Sequence, residues 1–462
     1  MKIRRTNLLI MLAIFARLYG ANATTIFPIA TNANLVEIGS GYATIGSNGI
    51  AIILAGTNVC FQIGSTNGTL IGPLTVIGSS FSFPVAAVGG GKCLVYWDDN
   101  FINAGPRVYG QIISPNGTTN GPPFLIPATG VGASRAVASD GTNFLAIWED
   151  SNDYYGQFVT SAGTLSGSAF LITSQHQNGN SAAAIFGKTN YLVVWQSNNN
   201  DTGNAHKTYG AFVSKNGSIG SPFQISQTDS LDQNPLAIGF DGTNYLVIWN
   251  QDSQLTPSGV PVWNFYSRVV TQSGTFFGSE LLLNTNQPLI PFLAFDGANY
   301  LLTWSYNVDT TNANKNVFFQ FLSPSANPIG PAFTVFPSQG TNTPLFGGVT
   351  FTGSGFGVGA TVGNLILGAA GGIQGFASAA AYGAFIPSST ALPKLNSTAF
   401  TNKQFSLTLT GTPGINYAVQ ANTNLTSSNW TMLFTNSPTN GTFSFTDTSA
   451  TNKSRFYRAV KQ

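Results

Sequence analysis

Carboxylates are the side chains in this sequence that come closest to a chemical constellation, because several of them follow shortly after tryptophans. Six of them belong to a candidate ligand-binding face: Asp98, Asp99, Glu149, Asp150, Asp153 and Asp201. Two opposed carboxylates can hydrolyse a glycosidic bond, and their separation decides the stereochemical outcome. The acids do not recur at one position with a matched base, nucleophile or arginine cluster, so the sequence assigns no catalytic residue. The alternative, which we favour, is that they keep a nearly neutral protein soluble.

Two aromatic residues complete the candidate face. Trp263 and Tyr306 are predicted to lie on long loops, where their rings could stack on the apolar faces of sugars. Asn side chains in such loops offer both donors and acceptors to hydroxyl groups. In the alternative interpretation, Trp263 covers the repeat that contains it and binds nothing.

Metal chemistry has little support in the sequence. The Asn- and Asp-rich segment 198–204 could supply oxygen ligands to calcium, but it lacks the regular alternation of a dedicated calcium loop. His176 and His206 are the two histidines of the chain, and two alone do not define a metal site. We therefore predict no metal site and no cofactor, with calcium as the alternative.

The two cysteines, Cys60 and Cys93, fall in neighbouring repeats. Export would permit a disulfide between them, and adjacent repeats could bring them together. Two buried free thiols are the alternative, because aligned repeats place Cys93 where Phe144 and Tyr191 stand. The sequence leaves both possibilities open.

All of these candidates are carried by a repeated segment. The stretch from Asp140 to Trp148 recurs from Asp241 to Trp249, and both copies begin Asp-Gly-Thr-Asn. Further copies occupy residues 296–304, 187–195 and 90–97, and degenerate copies occupy 46–53 and 353–360. The five repeat tryptophans are spaced 51, 47, 54 and 55 residues apart. Such a period indicates a repeat architecture, in which tryptophans at one fixed position are core packing residues.

Each repeat is predicted to form four short strands joined by turns. The second strand, such as Tyr191 to Trp195, is apolar throughout, as expected when both faces of a sheet are covered. Four-stranded sheets packed face to face around an axis meet that requirement. We therefore predict an all-β fold, a seven-bladed β-propeller of four-stranded antiparallel blades over residues 24–390. The seventh repeat lacks a fourth strand. The segment after the signal peptide resembles the fourth strands of other repeats, so we expect this N-terminal strand to close the last blade.

The first 23 residues are typical of a signal peptide. Lys2, Arg4 and Arg5 precede an apolar run, and an Ala-x-Ala site places cleavage after Ala23. We therefore expect a secreted or cell-surface protein. The mature chain would carry fourteen basic and sixteen acidic residues, which argues against a nucleic-acid partner because phosphates require a basic patch. The uncharged stretch 365–386 is weakly hydrophobic and lies inside the repeats, so we predict a buried loop or a strand pair there and no membrane span in the mature chain. We also expect the protein to be a monomer.

The region 391–462 lacks the repeat and is predicted to form a small β-sandwich from short alternating strands. A spaced pattern runs through it, formed by Tyr417, Val419, Gln420, Asn424, Leu425, Trp430, Phe445, Asp447, Phe456, Tyr457 and Arg458. This pattern resembles the C-terminal module of secreted proteins of environmental bacteria. The Asn-Tyr-Leu-Val-Val-Trp repeats likewise resemble those of secreted bacterial β-propeller repeat proteins. The resemblance implies an extracellular accessory module and assigns no activity to it.

Three functions are compatible with this sequence. We favour an exported, non-catalytic binding or surface-interaction protein, whose variable loop face meets a glycan or a protein. The rival is a secreted carbohydrate-active enzyme, a hydrolase or a lyase, with carboxylates near the central channel. The third is a structural component of the cell envelope. Propellers host all three, so the fold alone does not separate them.

Overall fold

A computed structural model divides the described chain into two compact units, residues 26–385 and residues 386–462. It describes residues 26–30, 37–65, 68–80, 84–99, 107–126, 132–151, 153–174, 181–197, 206–227, 233–255, 261–285, 288–306, 316–336, 342–367, 373–401, 404–423, 429–439, 441–450 and 455–462. Within these ranges the regular structure is β-strand throughout. No part of the described chain forms a helix that is long and apolar enough to span a membrane.

The first unit contains seven antiparallel sheets of four strands, here called blades 1 to 7. Blade 1 consists of β2 (Glu37–Ile45), β3 (Asn48–Ala55), β4 (Asn58–Ser65) and β5 (Leu70–Ser79). Blade 2 consists of β6 (Val85–Gly89), β7 (Lys92–Asp98), β8 (Val108–Ile113) and β9 (Phe124–Leu125). Blade 3 consists of β10 (Gly132–Ser139), β11 (Asn143–Asp150), β12 (Asp153–Thr160) and β13 (Leu165–Thr173). Blade 4 consists of β14 (Ala182–Phe186), β15 (Asn190–Ser197), β16 (Lys207–Ser214) and β17 (Phe223–Gln224).

The remaining three blades continue the same order. Blade 5 consists of β18 (Gln233–Phe240), β19 (Asn244–Leu255), β20 (Pro261–Thr271) and β21 (Phe276–Asn284). Blade 6 consists of β22 (Pro288–Phe295), β23 (Tyr300–Tyr306), β24 (Val317–Leu322) and β25 (Pro328–Thr334). Blade 7 consists of β26 (Asn342–Phe351), β27 (Gly355–Leu367), β28 (Ile373–Pro387) and the N-terminal β1 (Ile26–Ala30).

The seven blades form a closed ring. The first strand of each blade contacts the first strand of the next, and β26 of blade 7 contacts β2 of blade 1. The seven-bladed propeller predicted from the repeats is therefore confirmed. In blade 7 the fourth strand is β1, which pairs antiparallel with β28 and places Phe27 opposite Gly383. A Cβ at Gly383 would come within 2.5 Å of the Phe27 ring, so glycine is what lets the ring lie against the strand.

The second strand of each blade is buried because it packs on both neighbouring blades. In β11, Phe144 and Trp148 pack in one layer with Tyr96 of blade 2. Residues Leu145 and Ile147 point the other way, into the layer shared with blade 4. This explains why these strands are apolar at every position instead of alternating.

The Asp-Gly-Thr-Asn motif forms the turn that enters the second strand. An oxygen of Asp140 accepts hydrogen bonds from the backbone N–H groups of Thr142 (2.9 Å) and Asn143 (2.8 Å). Gly141 takes a φ of +89°, a conformation that disfavours side chains with a Cβ. Asp241 and Asp296 make the same pair of bonds in their own turns. The repeated motif is therefore a turn-forming element.

A second recurring feature is a glutamine in the third strand, which is buried in blades 1, 2 and 3 and half-buried in blade 6. In blade 3, the side-chain amide of Gln157 donates to the carbonyls of Phe158 (3.2 Å), Ser166 (3.0 Å) and Gly167 (3.1 Å). The pairing register between the third and fourth strands shifts at this point. The glutamine thus satisfies carbonyls that the irregular pairing leaves open, which matters because buried unpaired carbonyls are costly.

Cys60 and Cys93 are both buried, and neither forms a disulfide within the described residues. Cys60 packs in the layer that contains Phe27 and Ile29 of blade 7. Cys93 packs in the layer between blades 1 and 2, beside Ile50 and Val95. The disulfide considered from the sequence is therefore not formed, because the two thiols lie in layers on opposite faces of blade 1.

The second unit contains two three-stranded sheets that face each other. One sheet has the order β29 (Lys394–Thr401), β30 (Gln404–Thr410), β33 (Thr442–Asp447). The other has the order β32 (Thr431–Asn436), β31 (Tyr417–Asn422), β34 (Phe456–Lys461). Between them, Phe405 stacks on Tyr457 with ring centroids 4.9 Å apart, and Phe434 stacks on Phe445 at 5.2 Å.

A buried carboxylate ties two strands of this unit together. Asp447, which is 3% exposed, accepts hydrogen bonds from the Ser449 hydroxyl (2.7 Å) and the Tyr457 hydroxyl (2.9 Å). The guanidinium of Arg455 lies 2.7 Å from the same carboxylate. Burial raises the pKa of Asp447, but the hydrogen bonds from Ser449 and Tyr457 and the charge of Arg455 outweigh it, so its pKa is lowered overall.

This network predicts that the C-terminal unit loses stability in acid. Because the pKa of Asp447 is lower in the folded state, its contribution is present above pH about 4, the unfolded value, and is lost as the pH falls through the folded pKa. We expect Asp447→Asn to destabilise the unit by about 1–3 kcal/mol at neutral pH and to reduce this acid dependence. Hydrogen exchange of the β33 amides at several pH values measures both effects. An unchanged pH dependence in the variant would contradict the assignment.

Candidate ligand-binding site on the propeller axis

A cavity of about 290 Å³ lies where the first strands of the blades converge. Every blade contributes a first-strand residue to its wall, among them Ala43, Val85, Ala136, Ala183, Leu236, Phe292 and Val349. The side chains of the wall are aliphatic apart from Phe292 and Arg135. Among the described residues that line the cavity, Arg135 is the one that carries a charge. A concave, mostly apolar space with few polar groups is typical of a ligand site.

Arg135 reaches the cavity because the strand that carries it is bulged. In β10, Ser134 pairs with Trp148 and Ala136 with Ile147, so Arg135 is the extra residue between them. Bulges redirect a side chain away from the regular alternation of a strand. The guanidinium donates from Nε to Oε2 of Glu149 at 2.7 Å, and its Nη2 lies 2.6 Å from the same oxygen. The two side chains are 21% and 11% exposed, so a partly buried ion pair stands at an otherwise apolar wall.

Asp98 and Asp99 have structural partners at the end of β7. Asp98 is 2% exposed, and its Oδ2 accepts from the Ser134 backbone N–H (3.0 Å) and hydroxyl (2.8 Å). It therefore links blade 2 to blade 3 at the residue before Arg135. Asp99 accepts from the Arg107 N–H at 2.7 Å and donates its own N–H to the Arg107 carbonyl at 3.0 Å, which closes the base of the loop between β7 and β8.

Asp150 and Asp153 face each other across the hairpin that joins β11 to β12. Asp150 is 8% exposed and accepts from the Ser151 hydroxyl at 3.0 Å. One oxygen of Asp153 is buried and has no hydrogen-bond partner within the described part of the chain. Together with Asp98, Asp99 and Glu149, these residues place five of the six predicted acids at the same end of blades 2 and 3.

The other predicted residues do not join this group. Trp263 is half-buried in β20 of blade 5, opposite Asp252, and Tyr306 ends β23 of blade 6. Both lie in strands and not in the loops that the sequence indicated. Asp201, the segment 198–204 and His176 lie outside the described residues, and no metal-binding group of three acids, histidines or cysteines occurs among the described ones.

Arg135 is the functional candidate that sequence reasoning missed. It stands in the small-residue run Gly-Ala-Ser-Arg-Ala-Val-Ala-Ser, the first strand of blade 3. A lone arginine in such a run was a usable signal, because inner strands near a propeller axis otherwise need small or apolar side chains. Its partner Glu149 is 14 residues away in sequence and is brought to it only by the pairing of β10 with β11.

No protein-family model matches the chain, and no curated protein matches it. Solved propeller structures resemble it at low identity. The Dos1 propeller is 10% identical over 84% of this chain and 93% of that chain, with a TM-score of 0.45. The β-propeller domain of the Trilobed protease from Pyrococcus furiosus is 9% identical over 71% and 91%, with a TM-score of 0.44. A thermostable family-43 glycoside hydrolase is 13% identical over 57% and 93%, with a TM-score of 0.37.

Proposed function

We propose that this chain is an exported, non-catalytic binding protein whose propeller receives a glycan or a protein where the axial cavity meets the acids of blades 2 and 3. The observation that carries the proposal is the Arg135–Glu149 ion pair at the wall of the cavity. Such a pair offers donors and acceptors in fixed positions beside an apolar surface, which suits recognition of a ligand that has both polar and apolar parts.

The partners of the neighbouring acids support binding over catalysis. Asp98 accepts two hydrogen bonds from Ser134, and Asp99 accepts one from the Arg107 backbone. Glu149 accepts from Arg135. Carboxylates held in this way position strands and loops, whereas a general acid has to carry a proton to the scissile bond.

A carbohydrate-active enzyme is the second candidate, and Glu149 is the observation that favours it. Its carboxylate contacts Arg135, a side chain that lines the cavity. In a hydrolase or a lyase, Glu149 would act with a second carboxylate from the same group. Asp153 is the candidate, because one of its oxygens has no hydrogen-bond partner within the described residues. The two candidates therefore differ in whether a bound polysaccharide is cleaved.

A panel of polysaccharides and extracellular proteins, scored for both binding and product release, separates the two. We expect binding without product, and at least a 10-fold loss of affinity in the double variant Arg135→Gln/Glu149→Gln, which removes both charges but keeps hydrogen-bonding groups. That loss corresponds to about 1.4 kcal/mol. Arg107→Gln, whose side chain is exposed and does not line the cavity, is the matched control. Product release by the wild type that Glu149→Gln abolishes would contradict the non-catalytic proposal.

A further inference from the structure

Charge is divided unequally between the two units of the mature chain. Residues 26–385 contain eight basic and fifteen acidic residues, a net charge of −7. Residues 386–462 contain six basic residues and one acid, Asp447, a net charge of +5. That acid is already paired with Arg455. A small basic unit attached to an acidic one indicates that the basic unit has an anionic partner of its own.

One face of the sheet β32-β31-β34 presents an ordered cation. Gln420 in the central strand lies directly opposite Met432 on one side and Arg458 on the other. Side chains that are directly opposite in an antiparallel sheet stand on the same face, about 5 Å apart. Met432 and Arg458 are exposed, whereas Val419, the residue before Gln420, is fully buried, so the row Met432, Gln420 and Arg458 is on the outer face.

The guanidinium of Arg458 is held in place by two neighbours. Its Nε donates to the Gln420 side-chain oxygen at 2.8 Å, and its central carbon lies 4.4 Å from the centre of the Trp430 ring. Stacking on an aromatic ring and a hydrogen bond at Nε fix the plane of the fork. Within the part of the chain that the structure describes, its two terminal nitrogens have no hydrogen-bond partner. The plane of the guanidinium is therefore fixed, while its outer edge, which carries the two terminal nitrogens, is open.

The surroundings of this fork decide which anion it suits. Met432 is 55% exposed beside Gln420, and the indole of Trp430, two residues before Met432 in sequence, packs against the Arg458 guanidinium. An oriented guanidinium binds a carboxylate through two parallel hydrogen bonds. The flanking apolar groups can pack against the C–H faces of a sugar ring.

We propose that the C-terminal unit binds an acidic polysaccharide, with a uronate carboxylate on the outer edge of Arg458 and the sugar ring against Met432 and Trp430. This site is separate from the axial cavity, and it would hold the exported protein to an anionic glycan of a cell surface or matrix. Attachment by this unit does not require any particular ligand for the propeller.

The test uses the full mature chain and measures binding to polygalacturonate by biolayer interferometry at low and at physiological salt. We expect Arg458→Gln to weaken binding at least 10-fold. Lys394→Gln is the matched control, because the Lys394 side chain is exposed in the same unit and has no hydrogen bond or ion pair within the described residues. It should weaken binding by no more than about 3-fold, the effect of removing one screened surface charge. Arg458→Lys keeps the charge without the fork, and we expect it to recover only part of the affinity.

Several outcomes would overturn the proposal. Equal losses in Arg458→Gln and Lys394→Gln would show that only the net charge matters. Equal binding to dextran sulfate, or binding to phosphatidylglycerol vesicles in place of polygalacturonate, would show that the partner is not a uronate polymer. If the loss of binding by Arg458→Gln is accompanied by a comparable loss of stability, seen as a lower Tm, the role of Arg458 is purely structural. The variant Arg135→Gln/Glu149→Gln should bind polygalacturonate normally. Failure of the propeller proposal is therefore distinguishable from failure of the proposal for the C-terminal unit.

Discussion

Deletion of residues 24–30 should lower the Tm of the propeller by about 10 °C or more. These residues include β1, the fourth strand of blade 7, whose Phe27 and Ile29 are 8% and 5% exposed. Loss of one buried Phe and one buried Ile side chain costs roughly 5 kcal/mol or more in total, a large share of the 5–15 kcal/mol that stabilises a typical domain. The deletion also removes the pairing of β1 with β28, which ties the start of the chain to the last blade.

Two further variants separate side-chain packing from strand pairing. Phe27→Ala/Ile29→Ala keeps the backbone of β1 and should reproduce most of the loss, because both side chains pack in the layer with Ile53 and Cys60 of blade 1. Ile26→Ala, at a half-buried position of the same strand, is the control and should cost far less. Thermal unfolding followed by circular dichroism measures all three. A deletion variant with the wild-type Tm would contradict the closing role of β1.

Replacement of a repeat tryptophan should have the next largest effect. Trp148 is fully buried between blades 2 and 3 and stacks on Tyr155 with ring centroids 5.8 Å apart. Trp148→Ala should destabilise the propeller by about 3–5 kcal/mol, because it leaves a cavity that the surrounding blades cannot collapse to fill. The indole N–H has no hydrogen-bond partner within the described residues, so its contribution comes from packing. Trp148→Phe, which keeps an aromatic ring, should therefore cost much less.

The matched control for this prediction is Trp263, a tryptophan of the same unit outside the repeat position. It is half-buried in β20, and Trp263→Ala should change stability by only about 1 kcal/mol. Urea unfolding of the two alanine variants gives the comparison directly. Equal destabilisation by Trp148→Ala and Trp263→Ala would contradict the assignment of the repeat tryptophans to the core.

The signals that proved informative in the sequence were periodic. The Asp-Gly-Thr-Asn turns, the apolar second strands and the regularly spaced tryptophans predict the four-stranded blades and their number, because each is imposed by local geometry or by burial on two faces. The C-terminal strands were also readable from alternation, although β29 was missed because its segment, Lys394–Thr401, mixes polar and apolar residues without a clean period.

The candidate sites could not be predicted from periodic signals, because they depend on residues that do not repeat. The sequence indicated acids after tryptophans, but the pairing of β10 with β11 decides that Glu149 meets Arg135. A one-residue bulge, invisible in composition, turns Arg135 toward the axis. The positions of Cys60 and Cys93 were likewise settled by which face of each strand enters which layer.

The chain by itself therefore determined the architecture of this protein, since a repeated pattern of turns and buried strands has few ways to cover its apolar faces. Tertiary structure decided which of its few charged residues meet. Arg135 and Glu149 come together across two strands, and Gln420, Trp430 and Arg458 come together across a sheet face. Such contacts depend on register and on local irregularity, and a shift of one residue would send each of these side chains to the opposite face.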